Sequence, residues 1–82
     1  FLGIVIDYNK KTHEVLIEQR NYFKKGDIVE FFGPEINTFT YKIDKIIDEN
    51  AEIIEIVRHP KQRVKLIVDS PLTKNCMMRI KR

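Results

Sequence analysis

Four side chains in this sequence are of a type that could start a reaction: His13, His59, Ser70 and Cys76. A nucleophilic thiol or hydroxyl needs an oriented base beside it. Ser70 precedes Pro71 in a turn, and Cys76 takes a corner position that many residues would fill. A zinc centre would need ligands at short spacing, such as CxxC or HxxxH. His13, His59 and Cys76 are scattered and make no such pair. Glycine occurs only at positions 3, 26 and 33, which leaves no glycine-rich phosphate loop. Carboxylates are plentiful, but most alternate with apolar residues along strands, where a solvated face is the default. The expectation is a chain with no catalytic residues, no metal and no cofactor of its own.

The basic residues say more. Arg20, Lys24 and Lys25 lie in the first polar turn, among Tyr22 and Phe23. Arg58, His59, Lys61 and Arg63 lie in a loop around Pro60, and Lys74, Arg79, Lys81 and Arg82 near the C-terminus. Cations beside aromatics can grip single-stranded nucleic acid; the alternative is an ordinary solvated surface with Phe23 in the core. Gln19-Arg20-Asn21 sets three hydrogen-bonding side chains directly after an apolar strand, and the Arg20 fork suits carboxylate or phosphate. They either staple the turn to a neighbour or read a partner. The net charge of +3, from 15 basic and 12 acidic side chains, is only a modest pull on an anion.

The elements that must position these residues read as strands. Glu14 to Gln19 alternates Val15 and Ile17 inward with Leu16 and Glu18 outward. Gly26-Asp27 suits a corner with positive φ, which glycine adopts without steric cost, and Asp27 can bond the backbone just ahead of it. Ile28 to Phe32 is β-branched and aromatic, and Gly33-Pro34 stops it. Before this unit, Phe1 to Ile6 reads as a buried strand, with Gly3 marking a bulge or a close backbone approach. Asp7 to His13 reads as a polar turn. Phe39, Tyr41 and Ile43 alternate with Thr38, Thr40 and Lys42 in the cleanest half-buried strand. Ile43 to Ile47 resembles a single helical turn, too short to stand alone. Glu52 to Val57 is another strand, Arg58 to Arg63 a proline loop, and Val64, Leu66 and Val68 line one more before Met77 to Ile80.

A second pattern overlies the first. Val15, Leu16, Ile17, Phe23, Lys25, Gly26, Ile28, Glu30 and Phe31 match Val64, Lys65, Leu66, Leu72, Lys74, Asn75, Met77, Arg79 and Ile80, every pair 49 positions apart without a gap. Asn is second only to Gly at a left-handed corner, so the Gly26–Asn75 match has a physical basis. Two strand–corner–strand units, neither able to bury its apolar face alone, point to an all-β fold. About six or seven short strands would form a small antiparallel barrel.

With 82 residues the chain makes one small domain, spanning positions 1–82. A chain this size buries only roughly 60–65% of its unfolded surface. Hydrophobic residues at 43% and charged ones at 33% fit a folded rather than a disordered chain. One cysteine excludes an internal disulfide and fits a reducing, cytoplasmic setting. No apolar run approaches the ~18 residues that cross a bilayer, so no membrane partner is expected. Phe1 opens the sequence inside a strand-like run, which reads as a piece of a longer protein.

The string Glu18-Gln19-Arg20-Asn21, Phe23, Gly26-Asp27, Glu30, Gly33-Pro34 resembles the C-terminal domain of the collagenase-like peptidases of family U32. Asp48-Glu49, Ile54-Glu55, His59-Pro60, Gln62, Val64 and Arg79 extend the resemblance over nearly the whole chain. One departure stands out: a second Gly-Asp corner reads Asn75-Cys76 here, and loss of its carboxylate implies a looser corner. The resemblance implies a small β-barrel similar to those of translation factors, appended to a catalytic domain. Such parents are classed as peptidases or linked to hydroxylation of the tRNA wobble uridine. This domain would then be a non-catalytic accessory that docks on the catalytic domain and helps present a protein substrate, or alternatively an RNA-binding barrel. An enzyme in its own right is the third and least supported reading. The candidates for partner binding are Gln19, Arg20, Asn21, Lys24, Lys25, Arg58, His59, Gln62 and Arg79.

Overall fold

The protein is described by a computed structural model covering residues 1–81. Its strands are β1 (Gly3–Asn9), β2 (Glu14–Gln19), β3 (Phe23–Lys24), β4 (Ile28–Phe32), β5 (Phe39–Lys42), β6 (Ile46–Ile47), β7 (Ile53–Ile54), β8 (Ile56–Val57), β9 (Arg63–Ile67) and β10 (Met77–Ile80). Eight form one antiparallel sheet in the order β5-β4-β10-β1-β2-β9-β6-β7, and β3 pairs with β8 in a separate ribbon. The sheet curls into a half-barrel around a core that includes Val15, Ile17, Phe23, Val29, Phe31, Ile46 and Leu66. Side chains tie the curl together. Tyr41, on edge strand β5, donates to the carbonyl of Ile67 on β9 at 2.7 Å, and Tyr8 donates to that of Val68 at 2.9 Å.

The repeat organises the sheet. β2 pairs with β9, setting Val15 against Leu66, Leu16 against Lys65 and Ile17 against Val64. β4 pairs with β10, setting Val29 against Ile80, Glu30 against Arg79 and Phe31 against Met78. If each residue is exchanged for its counterpart 49 positions away, both registers map onto themselves. A pseudo-two-fold axis therefore passes through the Leu16–Lys65 and Glu30–Arg79 pairs. The corners obey it too. Gly26 N donates to Ile43 O at 2.8 Å and Ile43 N to Asp27 O at 2.9 Å. At the second corner Asn75 N donates to Val5 O at 2.9 Å and Val5 N to Cys76 O at 2.7 Å. Gly26 has φ 93° and Asn75 φ 73°, both left-handed.

Several local expectations change. There are ten strands rather than six or seven, because four are only two residues long. Asp7-Tyr8-Asn9 is strand, not turn: each faces a β2 residue, and pairing overrides polar composition. The register shift lies between Val5 and Asp7, whereas Gly3 is a close approach. A Cβ there would fall 2.6 Å from Ile17 Cγ2 and 3.1 Å from Glu18 O. Ile43 to Ile47 makes no helical turn: 43–45 are irregular and Ile46–Ile47 is β6, with no helix anywhere among the described residues. Phe23-Lys24 is a strand inside the expected turn, and Glu52 to Val57 splits at Glu55 because β7 pairs with β6 while β8 pairs with β3. The Asn75-Cys76 corner is not loose. Cys76 N donates to Thr73 O at 3.3 Å, and a Thr73 Oγ1–Cys76 Sγ hydrogen bond of 3.2 Å replaces the carboxylate. No helix of the described residues is long and apolar enough to cross a membrane.

Candidate nucleic-acid interface

β2 continues its alternation to its last residue, which turns Gln19 inward to 4% exposure. Gln19 N donates to Gln62 O at 2.8 Å, and Lys61 N to Gln19 O at 3.1 Å. The chain then turns over Leu2, whose carbonyl accepts both Arg20 N (2.8 Å) and Asn21 N (3.1 Å). Next, Phe23 pairs with Val57 and Lys24 with Ile56, and Lys25 N donates to Glu55 O at 2.8 Å. Residues 19–25 are thus sewn along 55–62, so the first polar turn and the proline loop form one continuous surface. Burial of Phe23 in the core anchors this strip from beneath.

The nine candidates fall into distinct roles. Gln19 is part of the staple and is too buried to read a partner. Gln62 is half-buried, its backbone N on His59 O, and its Oε1 is enclosed without a hydrogen-bond partner. Asn21 is exposed, with Oδ1 accepting the Tyr22 amide at 2.9 Å. Arg20 meets Glu18 at 3.2 Å, and Arg63 reaches the same carboxylate at 3.5 Å. Lys24 is held 2.9 Å from Asp27, whose hydrogen bond raises the ammonium above its ordinary pKa. Lys25, Arg58 and His59 are exposed and, with Lys61, make no ion pair among the described residues. Tyr22, 49% exposed, supplies an aromatic face within the strip.

Arg79 lies apart. Its Nε is 3.1 Å from Glu30, its guanidinium stacks 4.4 Å from the centroid of Phe32, and Lys81 adds a 3.3 Å contact to Glu30. The hydrogen bond from Arg79, then that from Lys81, holds the Glu30 carboxyl below its ordinary pKa. A groove of about 470 Å³, shared with Leu2 and Asn21, runs between Arg79 and the strip. Lys74 sits at the second corner, related to Lys25 by the pseudo-axis, so the two belong to separate halves. Arg82 lies outside the described residues. The carboxylates Glu18, Asp27 and Glu30, which neutralise three of the nominated cations, were not singled out as partners by sequence reasoning. Their outward strand or corner positions were visible, and Glu30 and Arg79 even occupied matching places in the repeat.

Cys76 and the two histidines do not converge among the described residues. Cys76 has no exposure, and its Sγ lies where a Cβ on Gly33 would come within 2.8 Å. His13, whose Nδ1 is 3.2 Å from the Tyr8 hydroxyl, precedes the start of β2, whereas exposed His59 lies in the loop bonded to Gln19 at the strand's other end. No three His, Cys, Asp or Glu side chains gather as a metal-holding group among the described residues. What the strip offers is a band of exposed positive charge with one aromatic face, suited to phosphates and stacked bases.

Comparison with known proteins agrees on one lineage. Residues 1–79 match the model of the peptidase family U32 C-terminal domain. The chain is 48% identical over 79 residues to tRNA hydroxylation protein P1 of Bacillus subtilis (strain 168). The match takes in 96% of this chain but only 19% of that protein. The crystal structure of the C-terminal domain of a U32-family protein from Geobacillus thermoleovorans superposes with TM-score 0.97 at 46% identity, over 100% of this chain and 92% of that one. Its selenomethionine variant gives 0.93 at 48% identity, over 96% of each chain. The chain belongs to the family of peptidase U32 C-terminal domains.

Proposed function

We propose that this domain is a non-catalytic part of a larger U32-family protein and that its exposed cations hold tRNA by the phosphate backbone. The observation that carries this reading is the sewn strip, which sets Arg20, Tyr22, Lys25, Arg58 and Lys61 along one surface. The name of the Bacillus relative, a tRNA hydroxylation protein, supplies the substrate class. Catalysis would belong to another domain of the parent, and the setting would be cytoplasmic. Enclosure of Cys76 and separation of the two histidines support the non-catalytic part.

Docking on a catalytic domain has its own support. Leu16, Lys65, Ile47 and Ile53 stand in one row across β2, β9, β6 and β7, and Ile53 is 67% exposed at the sheet edge. The row's apolar members Leu16, Ile47 and Ile53, with Lys65 between the first two, offer a mixed seat for a neighbouring domain. Presentation of a protein substrate is the competing role for the strip itself.

A salt titration decides between them. Each neutralised phosphate contributes a slope of roughly 0.7–0.9 in log affinity against log salt, so three contacts give about −2 to −3. The expected result is tRNA binding with such a slope, lost in an Arg20→Ala/Arg58→Ala/Lys61→Ala variant. Absence of tRNA affinity at low salt, or denatured collagen binding that persists at high salt, would replace RNA by protein as the ligand.

A further inference from the structure

The pseudo-symmetry breaks beside the first corner. In the second corner's clamp, Val5 performs two tasks: it bonds Asn75 and Cys76, and it stands opposite Ile17 on β2. The other half divides those tasks. Ile43 bonds Gly26 and Asp27, but Ile46 stands opposite Leu66, the counterpart of Ile17. Asp44 and Lys45 fill the interval and stand exposed. Beside this interruption, between the Gly26 corner and β8, a cleft of about 780 Å³ opens. Lys24, Lys25 and Lys42 line it, together with the carboxylates Asp44 and Glu55. Its apolar part is Ile43, fully buried beneath, and Ile56, 42% exposed. A Cβ added at Gly26 would meet nothing within 4 Å, so the corner leaves open space.

We propose that this cleft is a nucleotide subsite, taking one nucleotide of a bound RNA with its phosphate on Lys25 and Lys42 and its base against Ile56. The volume falls within the roughly 300–1,000 Å³ of small-ligand sites. The mixed lining selects the chemistry. Free ammonium groups suit a phosphate, an apolar wall suits a planar ring, and carboxylates accept the N–H donors that a base edge carries. Lys24 is already committed to Asp27 and shapes the rim. An acidic peptide would satisfy the lysines but leave Asp44 and Glu55 facing like charge. The proposal rests on the RNA reading above for its biological ligand; the cleft adjoins the strip and shares Lys25 with it, but does not include Arg20, Arg58 or Lys61.

The Geobacillus domain was crystallised as a chain that this one covers to 92%, so the domain folds alone and is suited to solution work. The experiment titrates labelled domain with uridine 5′-monophosphate, with inorganic phosphate and with a glutamate-rich peptide, following backbone amide resonances. The expected result is saturable shifts confined to residues 24–26, 42–44 and 55–56, with phosphate and peptide binding more weakly. Lys25→Glu/Lys42→Glu should weaken nucleotide binding by about tenfold or more. The uncharged variant Ile56→Ala should weaken it with the fold intact, and Lys10→Ala/Lys11→Ala, in the exposed turn between β1 and β2, should leave it unchanged. No saturable shift, shifts elsewhere, or equal binding of phosphate or peptide overturns the proposal. Salt-dependent tRNA binding with a silent cleft would sink the subsite and keep the strip. Nucleotide binding without tRNA affinity would sink the tRNA reading and keep the cleft.

Discussion

At Gly26–Asp27 a surface carboxylate accepts the Lys24 amide at 3.0 Å and its ammonium at 2.9 Å. At Asn75–Cys76 a thiol with no exposure takes the matching place, bonded to Thr73 at 3.2 Å and packed under Gly33. One corner is held from outside by charge and the other from inside by packing. Their backbone bonds nevertheless correspond donor for donor, including Asp27 N on Lys24 O (3.2 Å) and Cys76 N on Thr73 O (3.3 Å). The repeated unit is therefore a backbone pattern, and side chains are free to differ wherever burial differs.

The largest test lies at the matched core positions Phe23 and Leu72, both buried. Phe23→Ala should cost about 3–5 kcal/mol and Leu72→Ala about 2–4, read as denaturant midpoints. The first approaches the whole stability of a small domain and detaches β3 from beneath the cation strip. An equal or reversed order would show that the second half carries the core. Next comes Cys76→Asp, which copies the first corner's residue into the second. Because the site is enclosed, an uncompensated carboxylate there should cost about 3 kcal/mol or more, whereas Cys76→Ala should cost less. A neutral Cys76→Asp would mean that both corners are effectively on the surface.

Gly26→Val should cost about 1–3 kcal/mol through backbone strain alone, since no atom crowds the position. Asn75→Gly should be neutral or stabilising by a few tenths of a kcal/mol, because the left-handed strain of Asn is relieved while its unfolded freedom grows. Matched effects at the two sites would break the correspondence of the corners. The smallest effect concerns Glu30, whose carboxyl is held below its ordinary value of 4.5 by Arg79 and Lys81. A depressed carboxylate contributes stability above its unfolded pKa and loses it as pH falls through the folded one. Stability should therefore drop slightly as pH falls below about 4.5, and Glu30→Gln should flatten that part of the curve. An unchanged acid limb would show that the central charged pair on the pseudo-axis is idle.

β2, β4 and β10 have the bounds that alternation and punctuation indicate, since apolar spacing and stop residues act locally. Gly26 is left-handed as its type implies, and Asp27 bonds ahead of itself as expected. Of the two readings of Gln19-Arg20-Asn21, the staple holds for Gln19, and Arg20 remains on the surface with Glu18. The cleft beside Gly26 left no trace in the order of residues, because Lys42 and Glu55 belong to different hairpins.

Local chain chemistry therefore determined the all-β class, the two corners, the repeat of 49 residues and the inward faces of β2 and β9. A side chain's period of two and a residue's access to positive φ depend on its immediate neighbours and need no tertiary partner. Tertiary structure alone decided that Asp7-Tyr8-Asn9 would pair as strand, that Glu52 to Val57 would break at Glu55, and which cations would meet Glu18 or Glu30. Those outcomes depend on which segments arrive on either side. Short strands gain their bonds only from a partner, and an exposed charge is altered only by the groups that folding sets beside it.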